Sequence, residues 1–418
     1  MAQLTDDCFA FGGELLSVDA ALGLIGQRVA PVVDVEDVAL AAAAGRILAS
    51  DLIAGMDVPP HDNSAVDGYA IVHADLSADG ETILPVGGRA AAGHPLGRPV
   101  GPGEAIRIFT GAPMPDGADT VMMQEDCVAA EGRVHLKPGI RKGANRRHAG
   151  EDIARGAVTL TAGRRLKPAD LGLAAALGNA TLPVFRPLRV ALLSTGDEVC
   201  EVGAPLAAGA IYDANRHMLA ALLRSLGCIV TDFGIQPDRA ARLVDTLAAA
   251  SAAHDLVVTS GGVSTGEEDH VRTAIETLGR LDFWRLAIKP GRPVALGQLR
   301  GVPLIGLPGN PVAAALTFAI LGRPLILRLA GAAMTPPLSF PVQTDFSHRK
   351  KTGRREYLRA TLGRDNGSVV VRKYKKDGAG ILSSIVQSDG FAILDESIGD
   401  VTPGVTVDFL PFSEVFGS

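Results

Sequence analysis

The chain has 418 residues, of which 47% are hydrophobic and 21% are charged, a composition typical of soluble globular proteins. At roughly 100–200 residues per domain, this length predicts two to four domains. With 40 Lys and Arg against 46 Asp and Glu, the formal net charge of −6 argues against a broadly basic nucleic-acid-binding protein.

The four cysteines, Cys8, Cys127, Cys200 and Cys228, lie far apart in the sequence, and no C-x-x-C pair occurs. The spacing therefore supports neither a cysteine zinc site nor a disulfide scaffold, and we expect reduced thiols in the cytoplasm. The N-terminal residues show no basic stretch followed by an apolar run, so we expect no signal peptide.

The predicted secondary structure changes twice in the first half of the chain. Apolar residues at helical spacing predict helices over 18–28 and 35–48. From about residue 55 to 150, short apolar runs such as 105–109 and 120–124 alternate with Gly, Pro and Asp turns, which predicts a small β-rich domain. A helix over 167–178, closed by Gly178, follows it.

From residue 188 strands alternate with helices, which predicts an α/β fold with a mostly parallel sheet covered on both faces. Predicted strands are 188–194, 228–235, 255–260, 283–289, 293–298 and 302–307, and predicted helices are 214–227, a helix ending near 253 with Asp238 at its N-cap, 270–279 and 312–322. The uncharged run 301–322 contains Pro303, Pro308 and Pro311 and divides into strand, loop and helix, so we reject a membrane span.

The C-terminal part differs again. Basic residues cluster over 348–360, and alternating segments at 368–374 and 390–396 predict a small β-barrel or sheet domain.

Four loops of the α/β unit follow predicted strands, and ligands of open α/β sheets bind at the carboxyl ends of strands. These loops are 195–198, the loop with Asp238, 260–269 and 307–311. They combine glycines, carboxylates and helix starts, and Glu198, Asp238 and Asp269 supply oxygen ligands suited to Mg²⁺. With Lys289 and Arg292 nearby in sequence, they indicate a site for a polyanionic ligand and a divalent metal.

Other catalytic motifs receive little support. Residues 262–266 match G-x-S-x-G around Ser264, but the histidines that follow, His270 and His348, lie in the adjacent helix and in a basic stretch, which argues against a hydrolase triad. Neither G-x-G-x-x-G nor a Walker A sequence occurs, which removes the main signals for dinucleotide or P-loop nucleotide binding.

A series of distinctive segments occurs in the order and approximate spacing of the molybdopterin molybdenumtransferases. They are PPHDNSAVDGYA, IFTGAPMPDGADTVMMQED, RRHAGEDI, LSTGDEV, IYDANRHML, VTSGGVSTGEEDH, FWRLAIKPGRPVALG, GLPGNPVAAALTF and GRREYLR. The chain resembles this family, which includes relatives of the C-terminal domain of gephyrin, along essentially its whole length.

The resemblance implies an elongated homodimer with four domains in each chain. These would be a linker domain (1–55 and 155–187), an inserted β-rich domain (56–154), an α/β molybdopterin-binding domain (188–335) and a C-terminal β-barrel-like domain (336–418). The active site would lie where the α/β domain of one subunit faces the β-rich domain of the other.

The implied reaction replaces the adenylyl group of adenylylated molybdopterin with molybdate, releases AMP and uses Mg²⁺. Carried over by motif, the catalytic acids are Asp62, Asp152, Glu198, Asp238 and Asp269, of which Glu198, Asp238 and Asp269 would hold metal. Substrate-binding residues are Thr110, Gly261, Gly262, Ser264, Lys289, Arg292, Pro308, Pro311, Arg354 and Ser384. The expected partners are the two substrates, a second copy of the chain and other proteins of molybdenum cofactor synthesis. We expect the chain to bind neither nucleic acid nor a membrane.

Two positions depart from the family pattern. Arg292 stands where the family usually has a second Lys, and Ala313 stands where many members have Ser, which affects oxyanion affinity more than the type of reaction. Two alternatives stay open at this point: a non-catalytic, gephyrin-like binding scaffold and a molybdopterin adenylyltransferase. The extra domains on both sides of the α/β unit argue against the second.

Overall fold

The computed structural model of the chain describes residues 15–237, 239–261, 270–291, 293–365 and 367–417. Its α-helices are Val18–Arg28, Pro168–Ala176, Ala214–Ser225, Ala240–Ala253, His270–Leu278, Pro311–Thr317, Arg323–Leu329, Ser383–Val386 and Phe412–Val415. The predicted site residues Asp238, Gly262, Ser264, Asp269 and Arg292 lie outside the described residues.

The first helix, Val18–Arg28, agrees with the sequence prediction. The Ser17 side chain caps it by accepting a hydrogen bond from the backbone N–H of Ala20 at 3.1 Å. Its buried residues, Val18, Ala21 and Ile25, follow helical spacing and join the core beneath the α/β sheet.

The predicted helix over 35–48 is wrong. Val35–Ala39 is a strand that pairs antiparallel with Thr181–Phe185, and only Leu40–Ala42 forms a short 3₁₀ turn before Gly45, whose φ is +75°. The ladder partner comes from a segment far along the chain, so the spacing of apolar residues could not reveal it. Pairing with Thr181–Phe185, which buries Leu182 and Val184, overrides the local helical pattern.

Residues 68–136 form a β-rich region with a mixed six-stranded sheet. In spatial order its strands are Thr120–Met123, Gly68–Ile71, Ala105–Ile108, Thr82–Ala90, Arg133–Leu136 and Cys127–Ala130. Apolar side chains from both faces form two separate clusters, one around Ile71 and Leu136 and one around Ile106 and Ile108. The prediction of a small β-rich unit is confirmed.

The α/β region has a six-stranded sheet in the described part of the chain. Its strand order is Ile229–Gln236, Arg189–Thr195, Leu256–Ser260, Val302–Leu307, Pro293–Leu299 and Gly279–Arg285. The first four strands pair in parallel, and the last two join antiparallel. The predicted mostly parallel sheet is therefore confirmed.

One predicted strand of this region, 283–289, is divided between two sheets. Gly279–Arg285 belongs to the α/β sheet, whereas Ile288–Lys289 pairs in parallel with the start of Arg355–Asp365. Between them, Leu16 bridges Leu286 through backbone hydrogen bonds of 2.8 Å to Arg285 and Ala287. The mostly apolar run 283–289 could not show that the chain changes sheets here.

The predicted division of 301–322 is also confirmed. Val302–Leu307 is a strand, and helical structure runs from Pro311 to Leu329 with a π-helical stretch at Phe318–Gly322. This helix is long and apolar enough to cross a membrane, but 78% of its most apolar window is buried inside the protein. It is therefore a core helix of the α/β region.

The C-terminal segment forms a closed β-barrel, which is one of the two forms, barrel or sheet, that its alternating pattern predicts. The barrel strands are Arg355–Asp365, Ser368–Lys373, Phe340–Thr344, Thr406–Pro411 and Gly390–Leu394, and the last pairs back with the first. Ile288–Lys289 adds an edge strand to it from the α/β region, which joins these two parts of the chain.

Candidate functional site

The carboxyl edge of the parallel sheet brings three predicted site loops together. The strands that end at Thr195, Ser260 and Leu307 are neighbours, and the N–H of Gly261 donates to the carbonyl of Leu307 at 3.1 Å. Gly261 has a φ of +80°, and a Cβ there would lie 2.7 Å from the Thr195 carbonyl oxygen. The edge therefore requires glycine at this position.

Asn215 connects two of these loops and was not expected from the sequence. Its buried Nδ2 donates to Ser260 Oγ at 2.9 Å and to the Gly309 carbonyl at 2.7 Å. The motif around Asn215 is visible in the sequence, but nothing in a single sequence shows that its amide reaches two loops so far along the chain. Asn215 fixes the spacing between Gly261 and the Pro308–Pro311 turn.

The Pro308–Pro311 turn starts the long core helix as expected, with Asn310 at the N-cap and Pro311 in the first turn. The expectation that its first N–H groups are exposed needs correction. The N–H of Val312 donates to the carbonyl of Ala379 in the C-terminal region at 2.9 Å. Because Pro311 has no N–H, this end of the helix offers fewer free donors to an anion than the sequence implied.

Three buried hydroxyl groups near this edge lack hydrogen-bond partners among the described residues: Ser194 Oγ, Thr195 Oγ1 and Thr259 Oγ1. They lie near the carboxyl ends of two adjacent strands. Leaving a buried polar group unpaired is costly, so such groups usually find a water, an ion or a ligand. Ser194 and Thr195 are successive residues of one strand, so their side chains point to opposite faces of the sheet. We call the space between the three loops at this edge the crevice, and the strands beside it carry buried polar groups on both faces of the sheet.

Glu198 is exposed beside this crevice. Its carboxylate folds back over Gly196, where a Cβ would lie 2.7 Å from Glu198 Oε2. Among the described residues this carboxylate has no ion-pair partner, and no cluster of three or more His, Cys, Asp or Glu residues is found there. Of the three expected metal ligands, Glu198, Asp238 and Asp269, the structure therefore describes only Glu198.

A buried arginine near the same edge is a second feature that the sequence did not reveal. Arg216 contacts Asp213 at 2.9 Å, Asp232 at 2.6 Å and Glu201 at 2.5 Å. Burial alone would lower the pKa of its guanidinium, but the hydrogen bonds that Arg216 donates to the carboxylates raise that pKa above its usual value. Arg216 thus ties the segment after Glu198 to the helix Ala214–Ser225 and to the strand Ile229–Gln236.

Asp62 and its neighbours form a second group of predicted site residues, in the β-rich region. Asp62 pairs with Arg146 and accepts a hydrogen bond from the N–H of Ala149 at 2.7 Å. Burial raises the pKa of this carboxyl, but the bonds from Ala149 and Arg146 outweigh that effect and lower it overall, so Asp62 is ionised at neutral pH.

The loops around Asp62 and Asp152 lie side by side. Val58 bridges Ile153, and the N–H of Asp152 donates to the Val58 carbonyl at 3.1 Å. The Asp152 side chain is exposed, and Asp62 and Arg146 line a cleft of about 660 Å³. The sequence did not predict this cleft, because its walls come from four separate segments of the chain.

Thr110 lies next to the Asp62 loop, and its hydroxyl is already engaged. Both its N–H and its Oγ1 donate to Asp67 Oδ1, at 2.8 and 2.7 Å. These hydrogen bonds lower the pKa of the Asp67 carboxyl. Thr110 can therefore accept a hydrogen bond from a ligand, but its own hydroxyl proton is directed at Asp67.

The predicted site residues on and beside the C-terminal barrel differ in their exposure to solvent. Lys289 has a half-exposed side chain beside Glu356, and Arg354 is partly exposed. Ser384 is fully buried, and both hydrogen bonds of its hydroxyl stay inside the protein. The hydroxyl donates to the Ile381 carbonyl at 2.6 Å and accepts from Arg359 Nε at 3.0 Å. Ser384 is therefore part of the packing here and presents no hydroxyl to the surface.

Three protein-family models match successive parts of the chain. Residues 16–178 match the MoeA N-terminal region (domains I and II), residues 191–328 a probable molybdopterin-binding domain, and residues 341–412 the MoeA C-terminal region (domain IV).

Relatives with established names are similar over nearly their full length. The chain is 39% identical over 406 residues to the molybdopterin molybdenumtransferase of Haemophilus influenzae, covering 96% of this chain and all of the relative. It is 35% identical over 378 residues to molybdopterin molybdenumtransferase 2 of Mycobacterium tuberculosis, covering 88% of this chain and 92% of that one.

The fold is also similar to a solved structure. The molybdopterin biosynthesis MoeA protein of Pyrococcus horikoshii superimposes with a TM-score of 0.82 at 29% identity, covering 95% of this chain and 100% of the other.

Proposed function

This chain belongs to the molybdopterin molybdenumtransferase family, and we propose that it inserts molybdenum from molybdate into adenylylated molybdopterin with release of AMP. It is an enzyme of molybdenum cofactor synthesis. The observation that carries the proposal is the meeting of three motif loops at the carboxyl edge of the parallel sheet. Gly261 lets the backbone approach closely there, and the neighbouring strand ends carry unpartnered buried hydroxyls.

The residues around this crevice divide the task between them. Gly261, Gly262, Ser264, Pro308 and Pro311 would shape the surface that holds the pterin and its phosphate. Lys289 and Arg292 would bind molybdate, since a tetrahedral dianion needs cationic donors. Arg354 is a further candidate contact. The buried Ser384 would reach an anion only if the segment around it moved, so we assign it to packing.

The acids would serve the departing phosphate and its metal. Glu198, Asp238 and Asp269 are proposed Mg²⁺ ligands, and the hard oxygen donors at this edge, with the unpartnered Thr195 hydroxyl, suit that ion. Bound Mg²⁺ would neutralise negative charge on the phosphate. Asp62, held ionised by Arg146, and Asp152 and Thr110 would complete the site from the β-rich region.

We also propose that this second group belongs to a partner copy, so that the active site lies between two subunits of a homodimer. Large apolar side chains at the surface of one chain support association. Among them are Ile53 and Val158, which pair with each other, and Val202, Leu206 and Ile211. Other proteins of molybdenum cofactor synthesis would deliver or accept the pterin.

The domain division follows the same proposal. We propose a linker domain (1–55 and 155–187), an inserted domain (56–154), a molybdopterin-binding domain (188–335) and a C-terminal domain (336–418). Hydrophobic clusters confined to single regions support it. One further core is shared by the helix Val18–Arg28, the α/β sheet and barrel residues such as Phe391, so these three parts pack together. A cytoplasmic location is supported by the free thiols of Cys127, Cys200 and Cys228. No observation favours the scaffold alternative.

The decisive assay follows AMP release from adenylylated molybdopterin by the purified chain, with and without molybdate and Mg²⁺. We expect release that depends on molybdate and is accompanied by formation of molybdenum cofactor. Binding of the adenylylated pterin without AMP release at saturating molybdate would reject the proposed reaction and return the scaffold to consideration.

A further inference from the structure

We propose that Glu356 is a positioning residue that, together with His348, holds the Lys289 ammonium group in place to bind molybdate. The inference rests on the proposed function, because it takes Lys289 as a molybdate contact. It adds two residues to which the sequence pattern assigned no role.

Backbone pairing puts Lys289 and Glu356 side by side. The edge strand Ile288–Lys289 pairs in parallel with the first barrel strand, and the register makes Lys289 and Glu356 direct partners. The N–H of Arg355 also donates to the Ala287 carbonyl at 2.9 Å. Lys289 Nζ consequently lies 3.2 and 3.4 Å from the two carboxylate oxygens of Glu356.

The two partners differ sharply in exposure. The Lys289 side chain is 52% exposed, whereas that of Glu356 is 3% exposed. A buried carboxylate needs hydrogen-bonding partners to offset its lost hydration, and it holds them firmly. An ammonium group has three donors, so Lys289 can keep Glu356 and still direct donors to a ligand.

His348 fixes Glu356 from the buried side. Its Nε2 lies 3.0 Å from Glu356 Oε2, and its Nδ1 lies 3.3 Å from Lys373 Nζ. Because an ammonium group can only donate, Nδ1 accepts, and the ring hydrogen is on Nε2 and points to Glu356. Lys373 is in turn paired with Asp377 at 3.1 Å.

The electrostatics of Glu356 agree with this arrangement. Burial raises its pKa, but the hydrogen bonds from His348 and Lys289 lower that pKa overall, so the carboxylate is charged at neutral pH. The charge and the hydrogen bonds hold the carboxylate in one place.

The turn after Lys289 connects this pair to the substrate crevice. Gly291 packs so tightly on the long core helix that a Cβ there would lie 2.9 Å from Thr317 Oγ1 and 3.3 Å from Ala313 Cβ. That helix begins at Pro311, in the turn that Asn215 ties to Gly261. Lys289 is thus anchored by Glu356 on the barrel and by its own turn on the helix.

The test compares Glu356→Gln, Lys289→Met and the double variant in the full-length protein, with molybdate affinity from calorimetry and KM and kcat from AMP release. We expect each single variant to raise the KM for molybdate roughly tenfold to a hundredfold, as for loss of a charge-assisted hydrogen bond. We expect a smaller change in kcat and an unchanged KM for the pterin. The double variant should resemble Lys289→Met, since Glu356 acts through Lys289.

The matched control is Asp345→Asn, which neutralises an exposed carboxylate of the same barrel, 2.8 Å from Arg372. It should keep the wild-type KM. Glu356→Asp retains the charge and should restore part of the affinity, and it replaces Glu356→Gln if that variant does not fold.

Three outcomes would overturn the inference. If Lys289→Met weakens molybdate binding but Glu356→Gln does not, Glu356 positions nothing and the proposed function survives. A lower KM in Glu356→Gln would mean that Glu356 restrains Lys289 from molybdate. If Lys289→Met binds molybdate as the wild type does, the role of Lys289 fails and the inference fails with it.

Discussion

At Gly261 the backbone turns with a φ of +80° and passes so close to Thr195 that a methyl group would meet its carbonyl oxygen at 2.7 Å. Asp62 is held as a carboxylate by Arg146 and Ala149, and Asn215 spans two loops with one amide group. These contacts set which atoms a ligand can approach. Each can be tested by a change of a few atoms.

Gly261→Ala should lower AMP release roughly tenfold to a hundredfold, because the methyl group would push the Thr195 backbone out of the crevice. The matched control is Gly209→Ala, where φ is +84° and a Cβ would meet nothing within 4 Å. Both variants carry the strain of a positive φ, so only the collision differs. Equal activity in the two would show that the close approach at Gly261 is unimportant.

Asp62→Asn should reduce kcat by about tenfold or more, as for loss of a charged hydrogen-bond partner. The Asp62 and Arg146 side chains are only about a quarter exposed, so kcat is compared well below the melting temperature of the variant, where both proteins are folded. Glu81→Gln, which removes an exposed carboxylate of the same region, serves as the control for AMP release. Wild-type kcat in Asp62→Asn would remove this residue from the catalytic set.

At the scale of elements, the short strand Ile288–Lys289 is the link between the parallel sheet and the barrel. The chain leaves the α/β sheet after Arg285, and Ile288–Lys289 then pairs with Arg355 and Glu356 of the barrel. The helix that starts at Pro311 also contacts both, because Val312 donates to Ala379. Packing between these elements, rather than any one side chain, places the Lys289 turn.

Gly291→Ala should therefore raise the KM for molybdate, since its methyl group would collide with Thr317 on the core helix and displace Lys289. Gly353→Ala is the control, because Gly353 has the same φ of +89° and a Cβ there would meet nothing within 4 Å. We expect roughly a tenfold difference in KM between the two variants, from misplacement of a binding group. A similar KM in both would separate the turn from molybdate binding.

At the scale of the whole molecule, a buried ion pair joins the segment before the parallel sheet to the sheet itself. Asp255 is buried and contacts Arg186 at 2.7 Å and Arg189 at 3.0 Å. Burial raises the pKa of this carboxyl, but the hydrogen bonds from Arg186 and Arg189 lower it to about 2. A carboxyl whose pKa is depressed on folding stabilises the fold above its unfolded pKa and loses that contribution in acid.

Asp255→Asn should lower the free energy of unfolding by about 2–3 kcal/mol at pH 7, because that is the charge interaction to which a carboxyl pKa lowered from 3.8 to about 2 corresponds. In the wild type, the contribution of Asp255 falls as the pH drops from its unfolded pKa near 3.8 to its folded pKa of about 2. Urea unfolding at several pH values measures both effects. The loss in the variant should shrink across this range, and a difference that is independent of pH would contradict this account.

The sequence by itself determined the family, the α/β unit with its mostly parallel sheet, the C-terminal barrel and the loops at the carboxyl edge. These depend on local periodicity, on glycine and proline at turns and on short motifs, all of which a single chain displays. The helix over 18–28 and the strand–loop–helix of 302–322 follow from the same local rules, whereas the continuation of that helix to Leu329 was not predicted.

The tertiary structure decided what depends on distant partners. Residues 35–39 became a strand because Thr181–Phe185 offers an open ladder, and the run 283–289 divided because two sheets compete for it. Asn215, Arg216 and Glu356 acquire their roles only where loops from different parts of the chain meet. Hydrogen bonds and burial depend on distance in space, and the order of residues along the chain does not specify that distance.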